Sequence, residues 1–261
     1  MADRRGDSDA RLVAVLKRDA LGRVELLGRG AERAVRRIAC GGRLPLSRRV
    51  ARLLLARERR ALEALEALDG VPTRLHDPGW ALAPGAEGAS PAAGDVLLRS
   101  YLEGAPLHQA EALPEDFFEH LAALVERLHA RGVCHNDLHK EQNVIVRRSG
   151  RPALIDFQLA SVHRRRGRAF AARVRDDLRH VDKHRRRYLR PGRGPARALP
   201  LAAGRPPRTW LAALWRRAVK PVYNLLTRGL AGTSDGEERR PSSGPWPRWT
   251  PPLGPPGTGG D

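Results

Sequence analysis

At 261 residues the chain is long enough for one domain of two lobes or for two small domains, while 41% hydrophobic residues with 26 Gly and 21 Pro leave part of it outside any core. Cys40 and Cys134 are the only cysteines and lack metal-ligand spacing, which argues against a disulfide scaffold or a zinc site and suits a reducing cytoplasm. The formal charge of +19 is concentrated: from Ser161 to Leu230, 20 Lys or Arg stand against 3 Asp, a net of +17 that favours anionic partners such as nucleic acid, anionic lipid or a phosphorylated substrate.

The N-terminus, MADRRGDSDA, has no apolar stretch of the signal-peptide kind, and no run approaches the roughly 20 apolar residues of a membrane span. LVAVL (12–16), RVELL (23–27) and ERAVRRIAC (32–40) read as three strands joined by the turns KRDALG and GRGA, an antiparallel sheet of two hairpins. Ser47 is placed to cap a helix to about Leu68, with Leu55, Leu62 and Leu65 on one face and Asp69-Gly70 and Pro72 ending it. A strand is expected within Leu75–Leu82, then the small-residue loop PGAEGASPAAG, then a buried strand DVLLRSYL (95–102) broken by Glu103-Gly104-Ala105-Pro106. A second helix starts near Pro114, presents Phe117, Leu121, Leu124 and Leu128 on one face, and stops at Gly132. Strands over Asn143–Val146 and Ala153–Phe157 form a hairpin. A basic helical region (161–188), a Pro/Gly linker (191–207), an amphipathic stretch kinked at Pro221 (209–230) and a Pro/Gly/Ser-rich, disordered tail follow.

This order predicts an α+β protein with a small β-rich N-lobe (10–103), a mainly helical C-lobe (104–200), a basic tail helix (208–230) and a disordered end (231–261). A ligand would lie between the lobes. Chemistry concentrates in HNDLHKEQN (135–143) and in LIDFQLA, which begins at Leu154. Phosphoryl transfer needs a carboxylate to orient or deprotonate a hydroxyl, and oxygen ligands for a divalent metal. Asp137 suits the first role; the side-chain oxygen of Asn143 and the carboxylate of Asp156, brought together by a loop and a hairpin, suit the second.

The two motifs resemble the catalytic loop and metal-binding motif of the protein-kinase-like superfamily. Within it the chain is similar to bacterial atypical Ser/Thr kinases of the RIO-like and lipopolysaccharide-core type, to which DDLRHVDKHRRRY and WRRAVKPVYNLLTR also correspond. The resemblance implies a two-lobed kinase-like fold with ATP and Mg2+ as cofactors. It makes Asp137 the catalytic base, His135 the structural His of the loop, and Asn143 and Asp156 the metal ligands. It puts Arg36 at the phosphate-pairing position usually held by Lys, Glu58 as its ion-pair partner, and Tyr101, Leu102 and Glu103 at the adenine-binding hinge.

The sequence departs from the ordinary kinase pattern at several points. Asn143 lies six residues after Asp137 rather than five, so Gln142 is an alternative ligand. His139 stands where protein kinases have Lys, and Lys140 offers the charge for the γ-phosphate. Gln158 replaces the glycine of the metal motif, Gly22 is the only glycine in the turn expected over the phosphates, and no long peptide-binding segment follows Asp156. Asp177 braces the catalytic loop or caps a helix; Glu58 is an ion-pair partner or an exposed helix residue.

The function read from these residues is an ATP/Mg-dependent kinase of serine/threonine type. Its acceptor is a hydroxyl on protein or on an anionic glycolipid or sugar; a partner-binding pseudokinase is the alternative. Trp210 and Trp215 among basic residues suit an anionic membrane surface or packing on the helical lobe, so the protein is expected in the cytoplasm, peripheral at the inner membrane face. The run His163–Arg168 lacks interleaved aromatics, and specific nucleic-acid recognition is not expected.

Overall fold

Successive strand residues point to opposite faces of a sheet, so each face recruits its own packing partner. The computed structural model describes residues 9–19, 21–40, 46–85 and 90–189. The linker, the tail helix and the tail expected from the sequence lie outside the described residues. Strands β1 (Arg11–Asp19), β2 (Gly22–Arg29), β3 (Glu32–Ala39) and β4 (Val96–Ser100) form one antiparallel sheet in the order β1-β2-β3-β4. Gly30, at φ 55°, supplies the left-handed turn between β2 and β3.

One sheet face, carrying Leu27, Ala34 and Leu98, packs on Trp80 and Ala83. The other, with Leu97, packs on helix α1 (Ser47–Ala64) through Ala51, Leu54, Leu55 and Leu62. Ser47 is the first residue of α1 and its side chain does not cap it. The strand expected within Leu75–Leu82 is instead the short helix α2 (Pro78–Ala81). Asp77 accepts hydrogen bonds from the Gly79 and Trp80 backbone N–H groups, and Pro78 holds the first helical position, so local capping overrides the apolar run. Strand pairing there is confined to the bridge between Arg74 and Arg99.

After β4 the chain runs through residues 101–103 into β5 (Gly104–Pro106), then to helix α3 (Phe117–Ala130). Phe117, Leu121, Leu124 and Leu128 of α3 are all buried, each contributing roughly 1.5–3 kcal/mol. Gly132, at φ 76°, ends that helix. Strand β6 (Val133–Cys134) leads to the catalytic-loop sequence. The hairpin β7 (Val144–Arg147) and β8 (Pro152–Leu154) follows, then β9 (Ser161–Val162) pairing with β6. The hairpin is tighter than the sequence suggests: Asn143 and Phe157 each sit in a 3-10 turn flanking it. Helix α4 (Arg168–Tyr188) closes the described chain. The fold is α+β and kinase-like, an antiparallel sheet followed by helices. Among the described residues no helix is long and apolar enough to cross a membrane.

Candidate active site

The loop after β6 is built on one buried carboxylate. Asp177, in the middle of α4, accepts the backbone N–H of His135 at 2.8 Å and of Asn136 at 2.9 Å, and His129 Nε2 faces it at 3.1 Å. It braces the loop and caps no helix. Asn136 takes a left-handed conformation, φ 63°, which its side chain stabilises by donating to the carbonyls of Cys134 and Leu159 and to Ser161 Oγ. The buried Cys134 thiol is pushed up to about 12 by burial and by Asp177. His129, Cys134 and Asp177 cluster closely, but with Asp177 spent on the loop they act as its brace.

His135 is fully buried against Phe157, with ring centroids 4.7 Å apart. Its Nε2 lies 3.0 Å from the Ile155 carbonyl, which can only accept, so that nitrogen carries the proton and Nδ1 accepts the Asp137 N–H at 3.3 Å. The ring ties the loop to the Asp156 segment and does not reach a reacting atom; its role is structural.

Asp137 is 1% exposed. Asn143 donates its side-chain amide to the Asp137 carbonyl at 2.9 Å and to Oδ2 at 3.1 Å, which leaves its own Oδ1 for a cation. Lys140 Nζ lies 3.5 Å from the same Oδ2. The other oxygen, Oδ1, is buried and accepts no hydrogen bond among the described residues; His139 Nδ1 approaches it to 3.0 Å off the bonding direction. Gln142, the alternative ligand, is partly exposed beside it in the 3-10 turn Glu141–Asn143. The Ile155 N–H donates to the Asn143 carbonyl at 3.0 Å, so the residue before Asp156 is locked to the turn that carries Asn143.

Asp156 also holds a left-handed conformation, φ 65° and ψ 65°, costly for a non-glycine residue and held by its surroundings. Burial pushes its carboxyl up, but Arg37, Arg99, Lys17 and Lys140 more than reverse this, and it ionises below the ordinary carboxylate value. Arg37 Nη1 lies 3.3 Å from Asp156 Oδ1 and 3.4 Å from Glu58 Oε2. Arg99 pairs with the other oxygen of Glu58, and burial lowers its guanidinium to about 10. Gln158 closes the set: its amide donates to Asp156 Oδ2 at 3.2 Å and its oxygen accepts from Arg37.

Arg36 is the correction. It does not pair with Glu58. Its guanidinium is fully buried on the opposite sheet face, bound to Glu25 at 2.6 Å and donating to the carbonyls of Ala81 and Ala83. Neighbouring strand residues point to opposite faces, so the α1 side belongs to Arg37. The register shows the same division: Arg36 sits opposite Glu25 and Leu98, Arg37 opposite Val24 and Leu97. Glu58 is fully buried rather than on the helix surface.

In residues 101–103 Tyr101 is 37% exposed, Leu102 is half-buried, and Glu103 pairs with Arg148 at 2.7 Å on the surface. At the β1–β2 turn, Asp19 accepts the N–H groups of Leu21 and Gly22 at 2.9 and 3.0 Å. Arg37, Arg99 and Asp19 were not singled out from the sequence, and Gln158 was noted there only as a replacement for glycine. The RR pair in β3 was the one usable signal, since its two members must serve opposite faces.

The donor set fits a divalent cation with a polyphosphate: a carboxylate ionised below its usual range, an amide oxygen left unspent, and Arg37 and Lys140 beside them. The APH family model, described as phosphotransferase enzyme family, matches residues 25–166. No curated protein gives a significant match to the chain. With the family's model spanning more than half of its length, from β2 past the metal motif, the chain belongs to the APH phosphotransferase enzyme family and is a phosphotransferase of the protein-kinase-like superfamily.

Proposed function

We propose that the protein transfers the γ-phosphate of ATP to the hydroxyl of a small molecule or glycolipid. The observation that carries this reading is the buried, hydrogen-bond-free Asp137 Oδ1, held in place through its partner oxygen by Asn143 and Lys140. An acceptor hydroxyl placed there donates to Oδ1 and gives up its proton to it as the oxygen attacks phosphorus. The new O–P bond forms, the bond to the β-phosphate oxygen breaks, and ADP leaves. Asn143 and Asp156 would hold Mg2+, which supplies charge neutralisation on the phosphates. Lys140 and Arg37 add fixed positive charge, and Glu58 orients Arg37. Tyr101, Leu102 and Glu103 offer the backbone edge for adenine.

Only residues 163–167 separate β9 from α4. That is too short for a platform under an extended peptide, which favours a compact acceptor over a protein serine or threonine. The resemblance to RIO-like and lipopolysaccharide-core kinases together leaves both acceptor classes in play. The test is transfer of radiolabelled γ-phosphate into a lysate split into protein, lipid and small-molecule fractions. Label is expected outside the protein fraction and should fall about 10²–10⁴-fold with Asp137→Ala. Label confined to protein would restore the serine/threonine reading. Nucleotide binding with no transfer to any fraction would make the chain a pseudokinase, as the direct Arg37–Asp156 pairing suggests.

A further inference from the structure

Two guanidinium groups beside the catalytic loop meet neutral oxygens and no carboxylate among the described residues. Arg57 of α1 donates to the carbonyls of Leu159 at 3.2 Å and Ala160 at 3.3 Å, leaving Nη1 without a partner among the described residues. Among the described residues Arg173 of α4 donates only Nη1, to Asn136 Oδ1 at 3.2 Å. The two are joined by a short polar bridge, because the Asn136 amide donates to the same Leu159 carbonyl at 2.8 Å. Neither is in ion-pair range of a carboxylate among the described residues. The acids on the two helices are engaged elsewhere: Glu58 on Arg37 and Arg99, Glu63 on Arg74, Asp176 on Arg179, Asp177 on the loop, and Asp182 on Arg186.

Like charges gather there at a cost. Partial burial lowers the Arg57 pKa first, and the charges of Arg173 and of Arg60 lower it further. Arg60 and Arg173 are exposed, so the group opens to solvent. Over residues 161–189, 11 Lys or Arg stand against 3 Asp, and Asp177 among these acids is already held by the N–H groups of the loop. Two guanidinium forks with unspent N–H groups match a tetrahedral oxyanion, and burying their mutual repulsion under such a group converts a cost into binding.

We infer that Arg57 and Arg173 form a subsite for a phosphomonoester group carried by the acceptor. The site adjoins Asp137 through Asn136, the residue before it. The inference rests on the kinase reading for its location and names the acceptor class: a hydroxyl compound that already bears a phosphate. The same charges repel a cationic acceptor at this edge.

The test is calorimetric titration of the full chain at fixed ionic strength with glycerol 3-phosphate, and separately with vesicles of phosphatidic acid in phosphatidylcholine. Each is run with and without a non-hydrolysable ATP analogue and Mg2+. Binding that weakens about tenfold or more in both Arg57→Gln and Arg173→Gln, and persists in the exposed control Arg179→Gln, is the expected result. Both variants are checked by circular dichroism; should Arg57→Gln unfold, Arg173→Gln with its exposed side chain carries the comparison. Weakening with glycerol 3-phosphate alone identifies a soluble acceptor, and with vesicles alone a lipid headgroup. Equal weakening in Arg179→Gln, or binding abolished by the ATP analogue, overturns the subsite, since the anion would then be held by diffuse charge or by the nucleotide site. Phosphate binding by a protein that binds no nucleotide would leave the subsite standing and remove the kinase reading instead.

Discussion

Arg36 and Arg37 are adjacent, chemically identical and opposed in role. Arg36 is fully buried with Glu25, which Arg23 also approaches at 2.8 Å. Removing it leaves Glu25 with Arg23 alone and takes the donor from two backbone carbonyls. Arg36→Ala is expected to cost about 3–5 kcal/mol in chemical denaturation. Arg36→Lys should recover little of this, because an ammonium cannot reproduce the forked contact. Arg37 faces Glu58, Asp156 and Gln158 instead. Arg37→Ala should weaken ATP binding about 10–100-fold, read as a dissociation constant, with a smaller loss of stability than Arg36→Ala. The reverse ranking of the two variants would return the nucleotide role to Arg36.

At the scale of elements, the start of β2 sets how closely β2 and β3 approach each other. Gly22 opens β2 opposite Ala39, and a Cβ there would lie 2.1 Å from the Ile38 carbonyl oxygen. Any side chain must push β3 away, and β3 carries Arg37. Gly22→Ala is therefore expected to destabilise the protein by about 1–3 kcal/mol in urea unfolding and to weaken nucleotide binding along with it. Gly94, where an added Cβ meets nothing within 4 Å, is the matched control and should shift stability by no more than about 0.5 kcal/mol. Helices α1 and α4 act as clamps from either side of the site. The first delivers Glu58 to Arg37 and Arg57 to the segment after Asp156; the second delivers Asp177 to the loop.

For the whole molecule, acid stability depends on how α1 is fastened to the sheet. Asp95 accepts from Arg52 at 2.5 Å and from Arg48 at 2.7 Å, and the Arg52 bond, outweighing burial, with Arg48 adding to it, holds its carboxyl at about 2. The folded state thus releases this proton more readily than the unfolded chain, whose carboxyl keeps the ordinary value of 3.8. The stabilisation is fully present above about pH 4 and is lost as the pH falls through 2. In thermal unfolding the wild type should accordingly lose its advantage over Asp95→Asn in that range, falling toward the variant as the pH drops from 5 to 2. Parallel curves would show that Asp95 contributes nothing to acid stability. Much of this architecture was legible without coordinates. Period-two strands, the apolar face of α3 and the stop at Gly132 follow from local pattern and spacing, which short-range sterics and hydrogen bonding dictate, and the motifs carrying Asp137, Asn143 and Asp156 were visible as motifs. Asp177 was visible only as one of two roles. What the tertiary structure alone decided is which side of β3 meets α1, and so which arginine serves Glu58 and Asp156. It also decided that Asp77 caps a helix where an apolar run suggested a strand, and that Arg57 and Arg173, more than 100 residues apart, share one polar bridge. The reason is physical: a one-residue change of strand face, or a contact between distant helices, costs nothing locally and is settled only when the layers pack.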